Sequence, residues 1–330
     1  MSFGQTTTRK HSPVRVLFTG NNRAGSWEIR GNQVASARPY WTATHRVTDK
    51  DLKKHDLVCF VKRPQPELLS TLHNLRKPFV FDIIDSWGQP DEGLQYDSYE
   101  KVKELFRTKW SLIRADGYIF PNHTMMNELG FLTPVRTAIY HHFRPGLMPI
   151  EVNKKARVVG YEGSETFLGE WLGVIKDICA KNDLEFQVNP TDFRQIDIGV
   201  AIRGGEHDSY MANHYKSNVK LANFYGAGIP CLVGWKERSY HETDNGDVRF
   251  FRSPLEFETQ LKSLLDYDTR LQISERFRDF RENFQLEAIA SQFEQFFERV
   301  YRIHCDRSGI RQSSARGRLQ SFLKRQFWRK

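Results

Sequence analysis

The residues best suited to do chemistry are concentrated between positions 203 and 223. Arg203, Lys216 and Lys220 occur there with two glycines, and Ser217 and Asn218 directly precede an apolar helical pattern. Lysine and arginine neutralise phosphate oxygens, and the free N–H groups and dipole of a helix start orient an anion. This combination predicts a binding site for a diphosphate, and a solvated basic loop is the alternative interpretation.

Two glycine-containing loops follow predicted strands and open predicted helices. Backbone N–H groups at a helix start attract phosphate or sugar oxygens, and glycine allows a ligand to come close. The first loop has neither a G-x-G-x-x-G fingerprint nor the Gly-Lys-Ser/Thr ending of a P-loop, so an ordinary strand–helix turn is the alternative. The candidate residues for binding a phosphate or sugar are Gly20, Arg23, Gly25, Ser26 and Arg30 in the first loop, and Gly163 and Ser164 in the second.

Three residues at the ends of predicted strands could exchange protons or bond hydroxyl groups. Asp85 follows an apolar segment and could be a general base, while His141 and His142 could bond a sugar hydroxyl or a phosphate. In open α/β sheets, ligands bind outside the carboxyl ends of the strands. We therefore predict Asp85 and His142 as catalytic candidates, and a turn role for Asp85 and a structural role for the histidine stay open.

Other kinds of site are not indicated. The histidines are scattered, the four cysteines are widely separated, and no Gly-x-Ser-x-Gly sequence occurs. We therefore predict no metal, no cofactor and no disulfide framework. The sequence shows no secretory signal and no run of about 18 apolar residues, which favours a cytoplasmic location.

The elements that must position these residues alternate between strands and helices. Alternation at this spacing predicts an α/β fold with parallel, doubly wound sheets. Strand candidates are 14–19, 56–61, 78–84, 117–120, 135–140, 157–161, 184–188, 196–202, 229–233 and 248–251. Helix candidates are 27–37, 66–75, 96–113, 123–129, 166–181, the apolar pattern after Asn218, 254–265 and 286–304.

The chain is long enough for two domains of ordinary size, and its 330 residues divide at an aperiodic stretch. Residues 142–155 contain two prolines and a glycine without any period, which is typical of a linker. The predicted organisation is a first domain over 1–147, a second over 148–304 and a tail over 305–330.

The positive charge belongs mainly to the tail. The net charge is +9, and from Cys305 onward eight lysines and arginines stand against one aspartate. Nucleic-acid binding is therefore not expected of the body of the protein. Residues 317–330 combine helically spaced apolar residues with basic ones, which predicts an amphipathic helix on an anionic membrane and a peripheral location at its inner face. A solvated or partner-binding tail is the alternative.

The segment from Lys216 to Pro230 resembles the sugar-donor segment of GT-B-fold glycosyltransferases related to family 4, the glycosyl transferases group 1. Those proteins commonly read Lys-Leu-Leu-Glu-x4-Gly-x-Pro, and Lys220, Gly228 and Pro230 fall in register. The resemblance implies two Rossmann-like domains facing across a cleft, the first (1–147) for the acceptor and the second (148–304) for the nucleotide-sugar, with the C-terminal helix of the second crossing back to the first. It thus implies that the first glycine loop contacts an acceptor or a phosphate and that Gly163 and Ser164 contact the donor. It also implies transfer of a sugar from a nucleoside diphosphate sugar to a saccharide or lipid-linked acceptor, in surface polysaccharide or glycoconjugate assembly.

The resemblance departs from the family pattern at two places. Tyr215 and Asn223 occupy the positions of the family's Glu-x7-Glu pair, and residues 162–166 replace its arginine and lysine loop. The resemblance therefore implies that Asn223 contacts the donor, and that Arg203, Lys216 and Lys220 neutralise the diphosphate. A GT-B sugar-nucleotide epimerase and a catalytically silent GT-B scaffold are the alternative functions.

Overall fold

Two parallel β-sheets organise the chain, as the alternation of strands and helices predicts. The computed structural model describes residues 12–21, 25–84, 98–111, 113–130, 135–190 and 192–307. The first sheet has the order β2-β1-β3-β4-β5-β6 and the second the order β11-β10-β9-β7-β8, and every pairing is parallel. Parallel sheets are covered on both faces, and the apolar strands β1, β3 and β10 are buried throughout accordingly.

The strands are short, at three to five residues each. Those of the first sheet are β1 (Val16–Thr19), β2 (Trp41–Ala43), β3 (Leu57–Val61), β4 (Phe79–Asp82), β5 (Gly117–Phe120) and β6 (Arg136–Ala138). Those of the second are β7 (Val158–Tyr161), β8 (Glu185–Val188), β9 (Ile198–Ala201), β10 (Cys231–Gly234) and β11 (Arg249–Phe251).

The helices cover the two sheets. In the first half they are α1 (Gly25–Trp27), α2 (Val34–Ser36), α3 (Asp49–Lys54), α4 (Pro66–Leu75), α5 (Tyr99–Ser111) and α6 (His123–Leu129), with a π-helical turn, Glu28–Gln33, joining α1 to α2. In the second half they are α7 (Trp171–Lys181), α8 (Tyr210–Tyr215), α9 (Val219–Ala227), α10 (Arg238–Glu242), α11 (Pro254–Ser263), α12 (Tyr267–Phe280) and α13 (Leu286–Arg307).

Helix ends follow local sequence signals. Thr48 and Asp51 form a reciprocal capping box at the start of α3. Gly228 ends α9 in the left-handed conformation, with φ +67°. The predicted helix 166–181 is wrong at its start, because a 3-10 turn, Glu165–Leu168, is interrupted at Gly169, with φ +52°, before α7 begins. The patterns of β2, α3, α8, α10 and α12 were too short or too polar to predict these elements.

The long C-terminal helix crosses back onto the first sheet, as expected. Phe293 and Phe297 of α13 are fully buried in a cluster with β1 and β2, and the ring of Phe297 lies 5.6 Å from that of Phe18. At the surface, Arg38 binds Glu287 and Glu294 of the same helix. The helix runs to Arg307, a few residues beyond its predicted end, and the remainder of the predicted tail lies outside the described residues.

Candidate functional site

The start of α9 lies where the carboxyl ends of the two sheets meet. Asn218 precedes the helix, and its Oδ1 accepts a hydrogen bond from the backbone N–H of His141, just beyond β6, at 2.9 Å. Asn122, which follows β5, donates from Nδ2 to the Lys216 carbonyl at 2.9 Å. The first N–H groups of an α-helix have no acceptor within the helix. The helix start therefore presents its partial positive charge at the junction between the domains.

Lys220 lies in the first turn of α9 and is almost completely buried, with 7% of its surface exposed. Its Nζ donates to the Tyr161 hydroxyl at 3.0 Å and lies 4.4 Å from the centre of that ring. Burial, and then the nearby charge of Arg203, lowers the pKa of Lys220 to about 7. The ammonium is therefore poorly compensated in this structure, and an anion bound beside it would favour its protonated form.

Arg203 and Glu237 add a second cation and an anion to this group. Arg203 follows β9, Glu237 follows β10, and the two side chains approach to 3.5 Å between Nε and Oε2. The Arg203 guanidinium also lies 5.6 Å from the centre of the Phe167 ring. Both side chains are largely buried. The ends of β9 and β10 and the start of α9 thus bring two cations and one carboxylate together.

Asn223 joins the linker to the second sheet. Its Nδ2 donates to Glu162 at 2.7 Å, and its Oδ1 accepts from the backbone N–H of Arg144 at 2.8 Å. The Arg144 guanidinium closes the network on Glu162 at 2.6 Å. In this structure the Asn223 amide is therefore occupied by protein groups. Glu162 and Arg144 were not predicted as site residues, and the position of Glu162 directly after a strand was the only signal for it.

Gly163 and Ser164 form the loop that follows Tyr161. Gly163 has φ +140°, its N–H donates to Asn189 Oδ1 at 2.9 Å, and a Cβ at this position would lie 3.4 Å from Lys220 Nζ. Ser164 precedes the 3-10 turn, and its hydroxyl bonds Thr166 at 2.9 Å. The loop thus passes directly beside the Lys220 ammonium, while Ser217 lies half-buried just before α9.

Tyr215, at the other position of the family's glutamate pair, belongs to the interface between the domains. Its hydroxyl donates to Glu128 Oε2 at 2.6 Å, and His214 Nδ1 lies 2.9 Å from Glu128 Oε1. Tyr215 is fully buried in the same apolar cluster as Phe106 and Met125 of the first domain. It therefore holds the domains together and does not line an open cleft.

Arg30 is placed for internal bonding, which corrects its prediction as part of a ligand loop. It is fully buried, pairs with Asp82 at 2.8 Å, and donates to the carbonyls of Ile139 and Tyr140. Its guanidinium lies 4.7 Å from the Phe293 ring of α13. The side chain thus connects the π-helical turn, β4, the end of β6 and the crossover helix.

His142 also points into the protein, which does not fit the predicted catalytic role. Its Nδ1 lies 2.8 Å from the Phe143 carbonyl and its Nε2 lies 3.2 Å from the Ile29 carbonyl. Burial lowers the pKa of His142, so the neutral ring is favoured. The imidazole has 1% of its surface exposed and is positioned to support the chain between the domains.

The remaining first-domain candidates surround the end of β1. A Cβ at Gly20 would lie 2.5 Å from the Val61 carbonyl oxygen, so only glycine fits there, and the Gly20 carbonyl bonds His45. Ser26 is buried in α1, while Gly25 has open space around it. Arg23 and Asp85 lie outside the described residues.

Metal-binding clusters and membrane-spanning helices are both absent from the described residues. Among the described residues, no group of three histidine, cysteine, aspartate or glutamate side chains is placed to hold a metal ion. Over the same part of the chain, no helix combines the length and the apolar character needed to cross a bilayer.

Known structures share this two-domain arrangement. HepE of Anabaena, solved with UDP and glucose, superposes with a TM-score of 0.59 at 12% identity over 86% of this chain and 100% of that one. A trehalose 6-phosphate synthase from Burkholderia multivorans gives 0.56 at 9% identity over 92% and 100%, and WaaG, a glycosyltransferase involved in lipopolysaccharide biosynthesis, gives 0.51 at 12% over 84% and 98%. No family model and no curated protein sequence matches the chain.

The chain therefore has the GT-B fold, and the expected architecture is confirmed. At these identities the likeness establishes the fold only, so the chemistry depends on the residues at the junction between the domains.

Proposed function

We propose that this protein is a glycosyltransferase that moves a sugar from a nucleoside diphosphate sugar to a saccharide or lipid-linked acceptor. The observation that carries the proposal is the buried, poorly compensated Lys220 at the start of α9, beside Arg203 and at the meeting point of the two sheets. The shared fold with HepE, which was solved with UDP and glucose, supports a nucleotide-sugar donor.

The proposed reaction breaks the bond between the anomeric carbon and the diphosphate, and it forms a new bond from that carbon to an acceptor oxygen. The diphosphate leaves with the electron pair of the broken bond, and the proton of the acceptor hydroxyl passes to the departing diphosphate or to solvent. Fixed cations and helix N–H groups stabilise this developing charge without having to reorganise, since the fold already holds them in place. In this proposal Lys220 and Arg203 bind the diphosphate, and Lys216 and the first turn of α9 complete its surroundings.

A catalytically silent GT-B scaffold is the second candidate, and one observation favours it. The two positions of the family's glutamate pair hold Tyr215 and Asn223, and both side chains are used in contacts within the protein. A scaffold would keep the fold and could keep nucleotide binding, but it would transfer no sugar. Product formation therefore separates the two candidates, and an epimerase would instead convert the donor without any acceptor.

Calorimetric titration with UDP, ADP and GDP tests donor binding. We expect one of these nucleotides to bind, and Lys220→Met to weaken the binding at least about tenfold, because one charge-assisted contact contributes about 1.5–3 kcal/mol. Lys262→Met is the matched control, since Lys262 is exposed on α11 and pairs with Glu258 one turn away. Absence of binding by all three nucleotides, or equal binding by both variants, would contradict the proposal.

A peripheral membrane location is proposed from the sequence of residues 317–330, which lie outside the described residues. Sedimentation with vesicles of phosphatidylcholine and phosphatidylserine tests it. The full chain should bind anionic vesicles and release them at high salt, whereas a chain ending at Arg307 should remain unbound. Equal binding by both chains would show that the tail is not the membrane-binding segment.

A further inference from the structure

An open cavity of about 320 Å³ lies at the carboxyl ends of β9, β10 and β11. Its wall includes Arg203 and Glu237, which also belong to the Lys220 group. This volume is within the range of small-molecule sites, about 300–1,000 Å³. The proposed diphosphate site uses Arg203 from this lining and leaves the other lining residues unassigned.

The lining combines aromatic rings with balanced charges. Trp171, Trp235 and Phe251 supply the rings, and the Trp171 and Phe251 rings contact edge to face at 5.1 Å. Three acidic and three basic side chains complete the wall, namely Glu170, Asp208, Glu237, Arg203, Lys236 and Arg252. Three carboxylates would repel a phosphate, whereas hydroxyl groups both donate and accept hydrogen bonds and can pair with either sign. The lining therefore suits a neutral, polyhydroxylated ligand with an apolar face.

Trp235 is held in place while much of its surface remains open. The Arg252 guanidinium lies 3.8 Å from the centre of its ring, and the His241 ring contacts it edge to face at 4.5 Å. His241 in turn stacks on Phe250 with ring centres 4.2 Å apart. Despite these contacts 42% of Trp235 is exposed, which is unusual for a tryptophan and is expected of a ring that contacts a ligand.

The polar groups of the wall are fixed by neighbours before any ligand binds. Asp208 accepts from Asn213 Nδ2 at 2.7 Å and pairs with Lys236. Glu170 accepts from the Gly205 backbone N–H at 2.7 Å. Side chains held in this way lose little conformational freedom when a ligand binds, so the cavity is preorganised.

We propose that this cavity binds one neutral pyranose ring of a saccharide, packed against Trp235 and bonded by Asp208 and its neighbours. The proposal rests on the proposed function, because the cavity adjoins the Lys220 group through Arg203 and Glu237. The ring can come from the transferred sugar of the donor or from a separate saccharide acceptor, and both present the same chemistry to these side chains. An acceptor here would be bound by the second domain, where the sequence predicts only the donor.

Saturation-transfer NMR with methyl glycosides of glucose, galactose and N-acetylglucosamine, and with their trimers, tests the proposal on the full chain. We expect at least one saccharide to bind the wild-type protein, and Trp235→Ala and Asp208→Asn each to weaken it at least tenfold. Leu75→Ala is the control, because Leu75 is an exposed apolar residue of the first domain. Circular dichroism and calorimetric binding of UDP, read separately, confirm that each variant is folded.

Competition distinguishes the two sources of the ring. If saturating UDP leaves saccharide binding intact and a UDP-hexose displaces it, the ring is that of the donor; if neither displaces it, the ring is that of an acceptor. No saccharide signal, or an equal signal from wild type and Trp235→Ala, overturns the proposal. Binding of uridine that Trp235→Ala abolishes, without any saccharide signal, assigns the cavity to a nucleobase and also overturns it. Saccharide binding without any nucleotide binding would support the saccharide site in the cavity and contradict the proposed donor site.

Discussion

Lys220 is the central residue of the proposed diphosphate site. A lysine buried to this extent destabilises the free protein, because the unfolded chain keeps the ammonium hydrated. Its pKa of about 7 in the folded state, against an ordinary value near 10.5, expresses that penalty. A buried ammonium with too little negative charge around it is expected where a ligand supplies that charge, and a bound diphosphate would do so here.

The first prediction concerns stability against pH. Between pH 7 and 10.5 the unfolded state holds the Lys220 proton and the folded state does not. The destabilisation caused by burying Lys220 is therefore complete below about pH 7 and decreases as the pH rises toward 10.5. Lys220→Met should therefore stabilise the protein. The gain in the free energy of unfolding should be larger at pH 6 than at pH 10 by about 1 kcal/mol or more. Urea denaturation at both pH values measures this difference. An equal effect at both would show that Lys220 keeps an ordinary pKa.

The second prediction concerns binding against pH. A diphosphate favours the protonated ammonium, so affinity for a nucleotide sugar should fall by up to about tenfold per pH unit above pH 7. Calorimetry from pH 6 to pH 9 measures the profile, and Lys220→Met serves as the control because it cannot titrate. A flat wild-type profile, or the same slope in the variant, would contradict the assignment of this proton to Lys220.

The role of a residue could be predicted from the sequence where it follows from neighbouring residues in the chain. The Lys216 to Asn223 segment could be placed at a helix start because the apolar pattern after it is local. The burial of Arg30 could not be predicted, since its partner Asp82 and the Ile139 carbonyl are 52 and 109 residues away in the sequence. For the same reason His142 looked available, although its ring bonds the Ile29 carbonyl.

At the scale of elements, α9 is positioned by glycines that permit close packing. A Cβ at Gly226 would lie 2.7 Å from Phe143 Cγ, and a Cβ at Gly199 of β9 would lie 2.5 Å from the Phe224 ring. Gly226 thus brings the helix against the linker, while Gly199 brings it against the sheet. Which glycine contacts which element depends on the tertiary arrangement and could not be predicted from the sequence.

The third prediction compares three glycine substitutions. Gly226→Ala should destabilise the protein by about 1–3 kcal/mol through overpacking against Phe143, and Gly228→Ala by about 1–2 kcal/mol because its φ of +67° is left-handed. Gly173→Ala is the control: it lies inside α7 with nothing within 4 Å of a Cβ, so it should stabilise by about 0.5–1 kcal/mol. Thermal or urea unfolding reports all three, and a neutral Gly226→Ala would contradict the packing described.

At the scale of the whole molecule, two carboxylates join the domains around α6. Glu242 of the second domain accepts from the backbone N–H groups of His123 and Thr124, each at 2.7 Å, and from the Tyr140 hydroxyl at 2.6 Å. Near the other end of the helix, Glu128 accepts from Tyr215. These contacts fix the start of α9 relative to the strand ends of the first domain.

The fourth prediction tests this junction. Glu242→Gln removes the charge that caps α6 and should destabilise the protein by about 1–2 kcal/mol. Hydrogen exchange at residues 123–126 should accelerate, whereas Glu258→Gln, which alters an ion pair with Lys262 on α11, should leave it unchanged. Unchanged exchange in Glu242→Gln would mean that the junction does not depend on this carboxylate.

The division into two parallel sheets and the long C-terminal helix were predictable, because strand–helix alternation and the pattern of 286–304 are features of the sequence itself. The crossing of that helix onto the first sheet was implied only by the resemblance to GT-B glycosyltransferases. The contacts between the domains were not predictable, since Glu242, Glu128 and Asn122 carry no local signal that points to a partner far along the chain. The proposed boundaries at 147 and 304 remain predictions, as does the role of the tail beyond Arg307.

Sugar transfer that depends on Lys220 is tested most directly by measuring the release of nucleoside diphosphate from a panel of UDP-, ADP- and GDP-sugars, with and without saccharide acceptors. We predict that the wild-type protein releases nucleoside diphosphate from at least one donor and forms a glycosylated product. Lys220→Met should reduce the rate of release at least a hundredfold, whereas the Lys262→Met control should leave it unchanged. Undiminished release in Lys220→Met, or none by the wild-type protein with any donor and acceptor, would contradict this prediction.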